Sequence, residues 1–157
     1  MAYYDSMVRI DLSKQESMIA LPYHPSNAVS IHELQADPET VLRRVEEDTK
    51  RRFGDKVHPD LVSKIRNGKV YADQGIIAGC SGGLFDNIDE AAQILKGGSV
   101  GNDTFTLSVY PTSVPVSLEL TRIGATAALL ETGAIIKPSF CGPCFGAGDV
   151  PANNGLS

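Results

Sequence analysis

The sequence predicts an α/β domain of three α/β/α layers with a mostly parallel sheet, and three observations point that way. Short apolar runs recur at Gly75-Ile76-Ile77-Ala78, at residues 104–110, where Phe105, Leu107 and Val109 alternate with polar residues, and at Ala134-Ile135-Ile136. Amphipathic stretches long enough for helices separate these runs, which is the signature of parallel strands joined by covering helices. Gly54, Gly68, Gly97, Gly98 and Gly133 mark the ends of the helical stretches, where glycine commonly stops a helix.

Residues 1–36 read as an N-terminal arm, with one strand through Val8, Ile10 and Leu12 and a loop containing Pro22, Pro25 and Asn27. Residues 37–69 read as a helical segment. Asp37 suits an N-cap, Pro38 the first helical position and Glu39 the positive end of the helix dipole. Val41, Leu42, Val45 and Phe53 supply the apolar stripe. Glu46 and Glu47 precede Lys50 and Arg51 by four residues, an orientation worth about 0.2–0.5 kcal/mol per exposed pair. Arg43, Arg44, Lys50, Arg51 and Arg52 are therefore expected on a solvated face. A second short helix is expected from Pro59 to Asn67, with Leu61, Val62 and Ile65 inward.

Residues 70–145 carry the strand and helix alternation. A helix opens at Asp86 and runs through Ala92, Ile94 and Leu95. After the strand at 104–110, Tyr110-Pro111-Thr112-Ser113 turns into one long helix ending at Gly133. Val116, Leu120, Ile123, Ala127 and Leu130 form its apolar side, and Gly124 inside it is expected to cost about 1 kcal/mol relative to alanine. Residues 146–157, rich in glycine, proline and asparagine, read as an irregular tail. The whole of 1–157 is expected to be a single α/β domain.

Composition narrows the function. The chain has 157 residues, 42% apolar and 6% aromatic, enough to bury a core. Fourteen basic and nineteen acidic residues give a net charge of -5 without a long basic run, so a nucleic acid is not expected as partner. No stretch approaches the roughly 20 apolar residues of a membrane span, and Met1-Ala2-Tyr3-Tyr4-Asp5 lacks the features of a signal peptide. A cytoplasmic protein is expected.

The three cysteines carry the chemistry. All three lie in glycine-containing loops that follow strand-like runs, Gly79-Cys80-Ser81-Gly82-Gly83 and Cys141-Gly142-Pro143-Cys144. An odd cysteine count without secretory features argues for metal or redox chemistry over a disulfide framework. A CxxC turn can direct two thiolates at one centre, and a third cysteine on another loop can complete a three-sulfur face. Around a [4Fe–4S] cluster that leaves one iron without a protein sulfur, open to a substrate hydroxyl. Both loops lie at the carboxyl ends of expected strands, the edge where ligands of open α/β sheets gather.

Two alternatives use the same residues. Cys141-Gly142-Pro143-Cys144 is also a thioredoxin-like dithiol, but a redox CxxC of that type opens a helix. Here Phe145-Gly146-Ala147-Gly148-Asp149-Val150-Pro151 follows, with three helix breakers in seven residues. A zinc-binding module would need a fourth ligand, such as His24, His32 or His58. None has a metal-like spacing to a cysteine, and all three are expected on surfaces or loops.

At the cysteines the sequence resembles the aconitase superfamily of iron–sulfur hydro-lyases. Ser139-Phe140-Cys141-Gly142-Pro143-Cys144-Phe145-Gly146 is similar to that family's paired cluster cysteines, and Gly79-Cys80-Ser81 to its third. Ile10-Asp11-Leu12-Ser13 followed by Pro22 resembles the strand leading into the family's third α/β domain, so the likeness covers nearly the whole chain. Cys80-Ser81-Gly82-Gly83 stands where many members have Cys-Thr-Asn-Ser, and so resembles a divergent bacterial hydratase branch.

The resemblance implies that Cys80, Cys141 and Cys144 bind a [4Fe–4S] cluster. It also implies a dehydration and rehydration of a small hydroxy-polycarboxylic acid, such as citrate to isocitrate through aconitate. Family enzymes are several times longer: aspartate–histidine pairs lie in preceding domains, substrate arginines follow soon after the CxxC segment, and a catalytic serine comes from a later mobile domain. The chain is accordingly expected to be a fragment of a longer enzyme. It is expected to have no catalytic residue of its own, to pair with the parent's remaining domains, to lack turnover alone and to lose the cluster readily.

Overall fold

The computed structural model describes residues 3–101 and 103–157, and the chain divides into two units, Met1–Val70 and Tyr71–Ser157.

In the first unit, β1 (Met18–Ala20) pairs antiparallel with β2 (Ala28–Ser30), Ile19 opposite Val29. The strand expected through Val8, Ile10 and Leu12 is absent. Those side chains are exposed, and Leu12–Lys14 is a single 3₁₀ turn capped by Asp11. An extended segment needs a ladder partner for its backbone groups. The loop closed by Leu21 N–H to Asn27 O (2.8 Å) and Asn27 Nδ2 to Pro22 O (2.9 Å) brings one to residues 18–20.

Helix α1 (Ile31–Ala36) follows, its Glu33 N–H donating to Ser30 Oγ at 3.0 Å. Ser30 and Glu33 have the spacing of a capping box. Helix α2 (Pro38–Phe53) begins as expected, with Asp37 accepting from Thr40 N–H at 3.1 Å and Val41, Leu42 and Val45 buried. Phe53 is partly exposed instead. Arg51 pairs with Asp48 at 3.4 Å. Glu46 turns away from Lys50 to accept the backbone N–H groups of Leu61 (2.5 Å) and Val62 (2.9 Å).

The helix expected from Pro59 to Asn67 is replaced by a 3₁₀ turn at Val62–Lys64 and a hairpin of β3 (Ile65–Arg66) and β4 (Lys69–Val70). Asn67 and Gly68 connect the two strands with φ of 52° and 72°. Positive φ at both central residues is what a two-residue hairpin matched to strand twist requires, and Asn-Gly is its strongest sequence signal.

The second unit is the parallel α/β structure that was expected. Its elements are β5 (Gln74–Ile77), the single turn α3 (Gly79–Gly82), α4 (Phe85–Leu95), β6 (Thr106–Val109), α5 (Val114–Arg122), α6 (Ala125–Glu131) and β7 (Ile135–Ile136). The sheet order is β5-β6-β7, all parallel, with Ile77 beside Val109 and Val109 beside Ile136. Leu107 and Val109 face a core of Ile88, Ala92, Leu120, Ala125, Leu129 and Ala134, so α4, α5 and α6 share one face of the sheet. Ser108 projects the other way and is buried there.

The expected long helix is two, because Gly124 sits between them at φ +87°. A left-handed residue interrupts the helical ladder and resets the phase of the side chains. The periodicity 116, 120, 123, 127, 130 therefore fails at and beyond the break: Ile123, just before it, and Leu130 are 48% and 54% exposed, while Ala125 and Leu129 are buried. On α4 the inward residues are Ile88 and Ala92, and Ile94 is 75% exposed. The tail has no helix or strand among its residues, yet it is pinned. Asp73 N–H donates to Leu156 O (2.7 Å) and Leu156 N–H to Asp73 Oδ2 (2.8 Å).

Candidate functional site

Each strand of the parallel sheet hands the chain to a loop at the same edge. Two backbone bonds continue the ladder there, Tyr110 N–H to Ile77 O (2.8 Å) and Lys137 N–H to Val109 O (2.9 Å). Thr112 N–H donates to Gly83 O (2.8 Å), tying the loop after β6 to the one after β5. That approach demands glycine: a Cβ on Gly83 would overlap Tyr110 O and come within 2.8 Å of Gly79 O. Asn87 Nδ2 donates to Ser81 O (2.6 Å), fastening the short turn that carries Cys80.

The Cys141–Cys144 loop closes on itself. Phe145 and Ala147 donate their N–H groups to Gly142 O (3.1 and 2.9 Å), and the Phe140 ring folds over the α-carbon of Gly142 where a side chain would otherwise stand. Pro143–Phe145 is one 3₁₀ turn, ended by Gly146 at φ +78°. No α-helix opens at the CxxC, unlike the dithiol of thioredoxin-like sites.

These loops border one cavity of about 230 Å³, lined by Gly79, Cys80, Tyr110, Pro111, Thr112, Ser139, Phe140 and Cys141. Cys144 Sγ lies against its Gly79 wall, 3.0 Å from where a Cβ on that residue would be. The three expected thiols thus meet at one edge, and all are free and exposed. Among the described residues no three His, Cys, Asp or Glu side chains gather as ligands of a single ion. The histidines considered as zinc ligands, His24, His32 and His58, are exposed residues of the first unit.

A polar group beside the cavity was not anticipated. Tyr110 is buried and donates its hydroxyl to Asp149 Oδ2 at 2.7 Å. Asp149 also pairs with Lys137 Nζ at 3.8 Å. The hydrogen bonds from Ser108 and Tyr110 hold the Asp149 carboxyl below its ordinary range, against the opposing effect of burial, with the Lys137 charge assisting. The same bond to Asp149, with burial and the carboxylate charge, pushes the Tyr110 phenol up to about 12. Tyr110 had a faint signal, a large side chain at the end of an alternating strand; Asp149, in a glycine-rich stretch, had none.

The fold and this edge define an α/β module with a thiol-lined pocket at the carboxyl ends of its strands. The chain belongs to the aconitase family: the family model, aconitase family (aconitate hydratase), matches residues 1–157. It is 31% identical over 137 residues to the 3-isopropylmalate dehydratase large subunit of Thermococcus kodakarensis, covering 87% of this chain and 27% of that protein. With the protein of the same name from Pyrococcus horikoshii it shares 31% over 143 residues, 91% of this chain and 28% of the relative. With that from Clostridioides difficile it shares 26% over 145 residues, 92% of this chain and 26% of the relative. The chain therefore spans about a quarter of the length of these curated relatives. Among the described residues no helix is long and apolar enough to cross a membrane.

Proposed function

We propose that this chain is the cluster-bearing α/β domain of a hydro-lyase, with Cys80, Cys141 and Cys144 as the three thiolate ligands of a [4Fe–4S] cluster. The convergence of the three thiols on one cavity edge carries this assignment. The donor set suits the group. Thiolates are the ordinary ligands of iron–sulfur clusters, where each cysteine takes its own iron and the sulfurs need not meet at one ion. Gly79 leaves the space beside the Cys144 sulfur clear of a side chain, and Gly142 makes room for the Phe140 ring within the cysteine loop. Backbone N–H groups of the glycine-rich turns are available to hydrogen-bond cluster sulfides.

When bound, a cluster with one open iron supplies Lewis-acid polarisation of a substrate C–O bond. The chain's own residues hold and shape the pocket. Cys80, Cys141 and Cys144 anchor, Gly83 lets two loops approach, and Thr112 and Ser139 line the cavity where a carboxylate or hydroxyl of the substrate would enter. The proton-abstracting base and the carboxylate-binding cations come from the remainder of a longer enzyme. For this reason the chain alone has no turnover, since one wall of a site cannot orient substrate against a base.

The substrate is a small hydroxy-polycarboxylic acid. The relatives' name favours an isopropylmalate-type acid, and citrate or isocitrate is the second choice. Their description as large subunits leads us to expect a smaller subunit as partner, along with the parent's other domains. A cytoplasmic location accords with an oxygen-sensitive cluster.

Anaerobic reconstitution with iron and sulfide, followed by metal and sulfide counting and EPR, tests the assignment. A brown protein with about four irons is expected, and C80S, C141S or C144S should each impair the assembled centre. A chain that stays colourless, takes up no iron and reduces insulin through Cys141 would replace this function with thiol–disulfide chemistry. A colourless chain that retains stoichiometric zinc would replace it with a zinc module.

A further inference from the structure

The loop bearing Cys141 and Cys144 leaves the sheet at Lys137 and is met again at Asp149, and these two residues pair across its base, Nζ to Oδ1 at 3.8 Å. From the end of the central strand Tyr110, which lines the thiol cavity, donates to the same carboxylate, and Ser108, 1% exposed on β6, helps hold that carboxyl ionised. One carboxylate thus joins the end of β6, the end of β7 and the far side of the cysteine loop. Gly148, the residue before Asp149, lies close to the clamp, with its absent Cβ 3.7 Å from Tyr110 Oη and 3.5 Å from the Phe140 ring.

Between these anchors the loop is closed by its own bonds, Ala147 and Phe145 to Gly142 and the Phe140 ring over Gly142. Such a loop keeps its internal spacing when its base is released, while its position relative to the rest of the sheet edge is free to change. Cys80 sits on a separate turn fixed by Asn87 and by the Gly83–Thr112 bond, so it does not follow.

We propose that Asp149 is a positioning residue that holds Cys141 and Cys144 opposite Cys80 by clamping the base of their loop to β6 and β7. The proposal rests on the assignment of the three cysteines to one cluster, and it deepens that assignment by naming what sets their mutual geometry. Removal of the carboxylate releases Tyr110 and Lys137 together, and leaves the Tyr110 hydroxyl in buried surroundings where an unpaired polar group is unfavourable. The Cys141–Cys144 distance is preserved and the distance from Cys80 to the pair is not.

The test uses the cluster-free chain, reduced and treated with dibromobimane, a short thiol cross-linker, with linked peptides mapped by mass. In the wild type, links from Cys80 to Cys144 or Cys141 form alongside the Cys141–Cys144 link. In D149A the Cys80 links fall about fivefold while the Cys141–Cys144 link is unchanged. D149N, which keeps an oxygen acceptor for Tyr110, recovers most of the Cys80 links. Anaerobic iron loading of D149A falls in parallel.

An unchanged ratio of the two kinds of link in D149A overturns the proposal, as does an equal fall in both, which marks general loosening. If circular dichroism shows D149A unfolded, Y110F decides: a reduced ratio supports the clamp and a wild-type ratio overturns it. Failure of the wild type to take up iron, with the Cys80 links still dependent on Asp149, removes the cluster assignment and leaves the clamp standing.

Discussion

The sulfur of Cys144 rests against the backbone of Gly79, one residue from Cys80 in sequence: a Cβ built on Gly79 would stand 3.0 Å from it. Gly79 also has φ +88°. One glycine therefore performs two tasks, turning the chain from β5 into the cysteine-bearing loop and leaving room for the thiol of the other loop.

Gly79→Ala should lose stability on both counts. Left-handed backbone costs about 1–2 kcal/mol for a residue with a Cβ, and the Cys144 sulfur must also give way. Urea denaturation should show a lower midpoint, and iron uptake on reconstitution should fall. Wild-type values for both would mean that the two loops are not in contact.

Gly83→Ala is expected to be worse for the fold, because the added methyl meets backbone. Tyr110 O, Gly79 O at 2.8 Å and Thr112 N at 3.1 Å surround the site, none of them the end of a flexible side chain. Overpacking of this kind costs roughly 1–3 kcal/mol or more. Loss of the Thr112–Gly83 bond should appear as faster amide exchange at Thr112.

Tyr110 and Asp149 give the protein opposite pH limits. The Tyr110 pKa is raised from 10.0 to about 12, so its contribution is whole below pH 10 and disappears as pH rises toward 12. The Asp149 pKa is lowered from 3.8, so its contribution is whole above the ordinary aspartate range and disappears as pH falls through the depressed value. Ultraviolet titration of the phenols should show Tyr110 ionising late, and D149A should bring it back toward 10. A Tyr110 that titrates normally in the wild type would contradict the hydrogen bond.

In the first unit, Glu46→Ala should destabilise out of proportion to a surface change. Its carboxylate accepts two backbone N–H groups, Leu61 at 2.5 Å and Val62 at 2.9 Å. Leaving such donors unpaired costs about 1–3 kcal/mol. E46Q, which keeps one acceptor oxygen, should recover part of the loss in thermal unfolding. Equal melting of E46A and wild type would rule out the contact.

Gly124→Ala is expected to cost about 1–2 kcal/mol for its φ of +87°, with no steric clash, since nothing lies within 4 Å of the added methyl. A gain in stability, the usual result of replacing a mid-helix glycine, would mean that α5 and α6 form one helix.

Much of this could be read in the order of residues. Asp37-Pro38-Glu39 announced α2 through local chemistry, capping and dipole, which acts within one turn. Alternation at Phe105, Leu107 and Val109 announced β6. Elsewhere two local signals compete: Asn67-Gly68 spells a hairpin turn, and it prevails over the apolar spacing of Leu61, Val62 and Ile65 that favours a helix from Pro59. Gly124 was weighed as a costly passenger, whereas its left-handed φ splits the helix and moves the buried face to Ala125 and Leu129.

The linear chain was enough to single out Cys80, Cys141 and Cys144 and to class the sheet as parallel, because thiol spacing, helix caps and strand alternation all act over a few residues. It could not show that Cys144 rests on Gly79, that Tyr110 and Asp149 meet across 39 positions, or that Leu156 fastens the tail to Asp73. Those contacts join segments whose approach depends on the packing of every element between them. Only the folded chain fixes them, since no local propensity carries information over that distance.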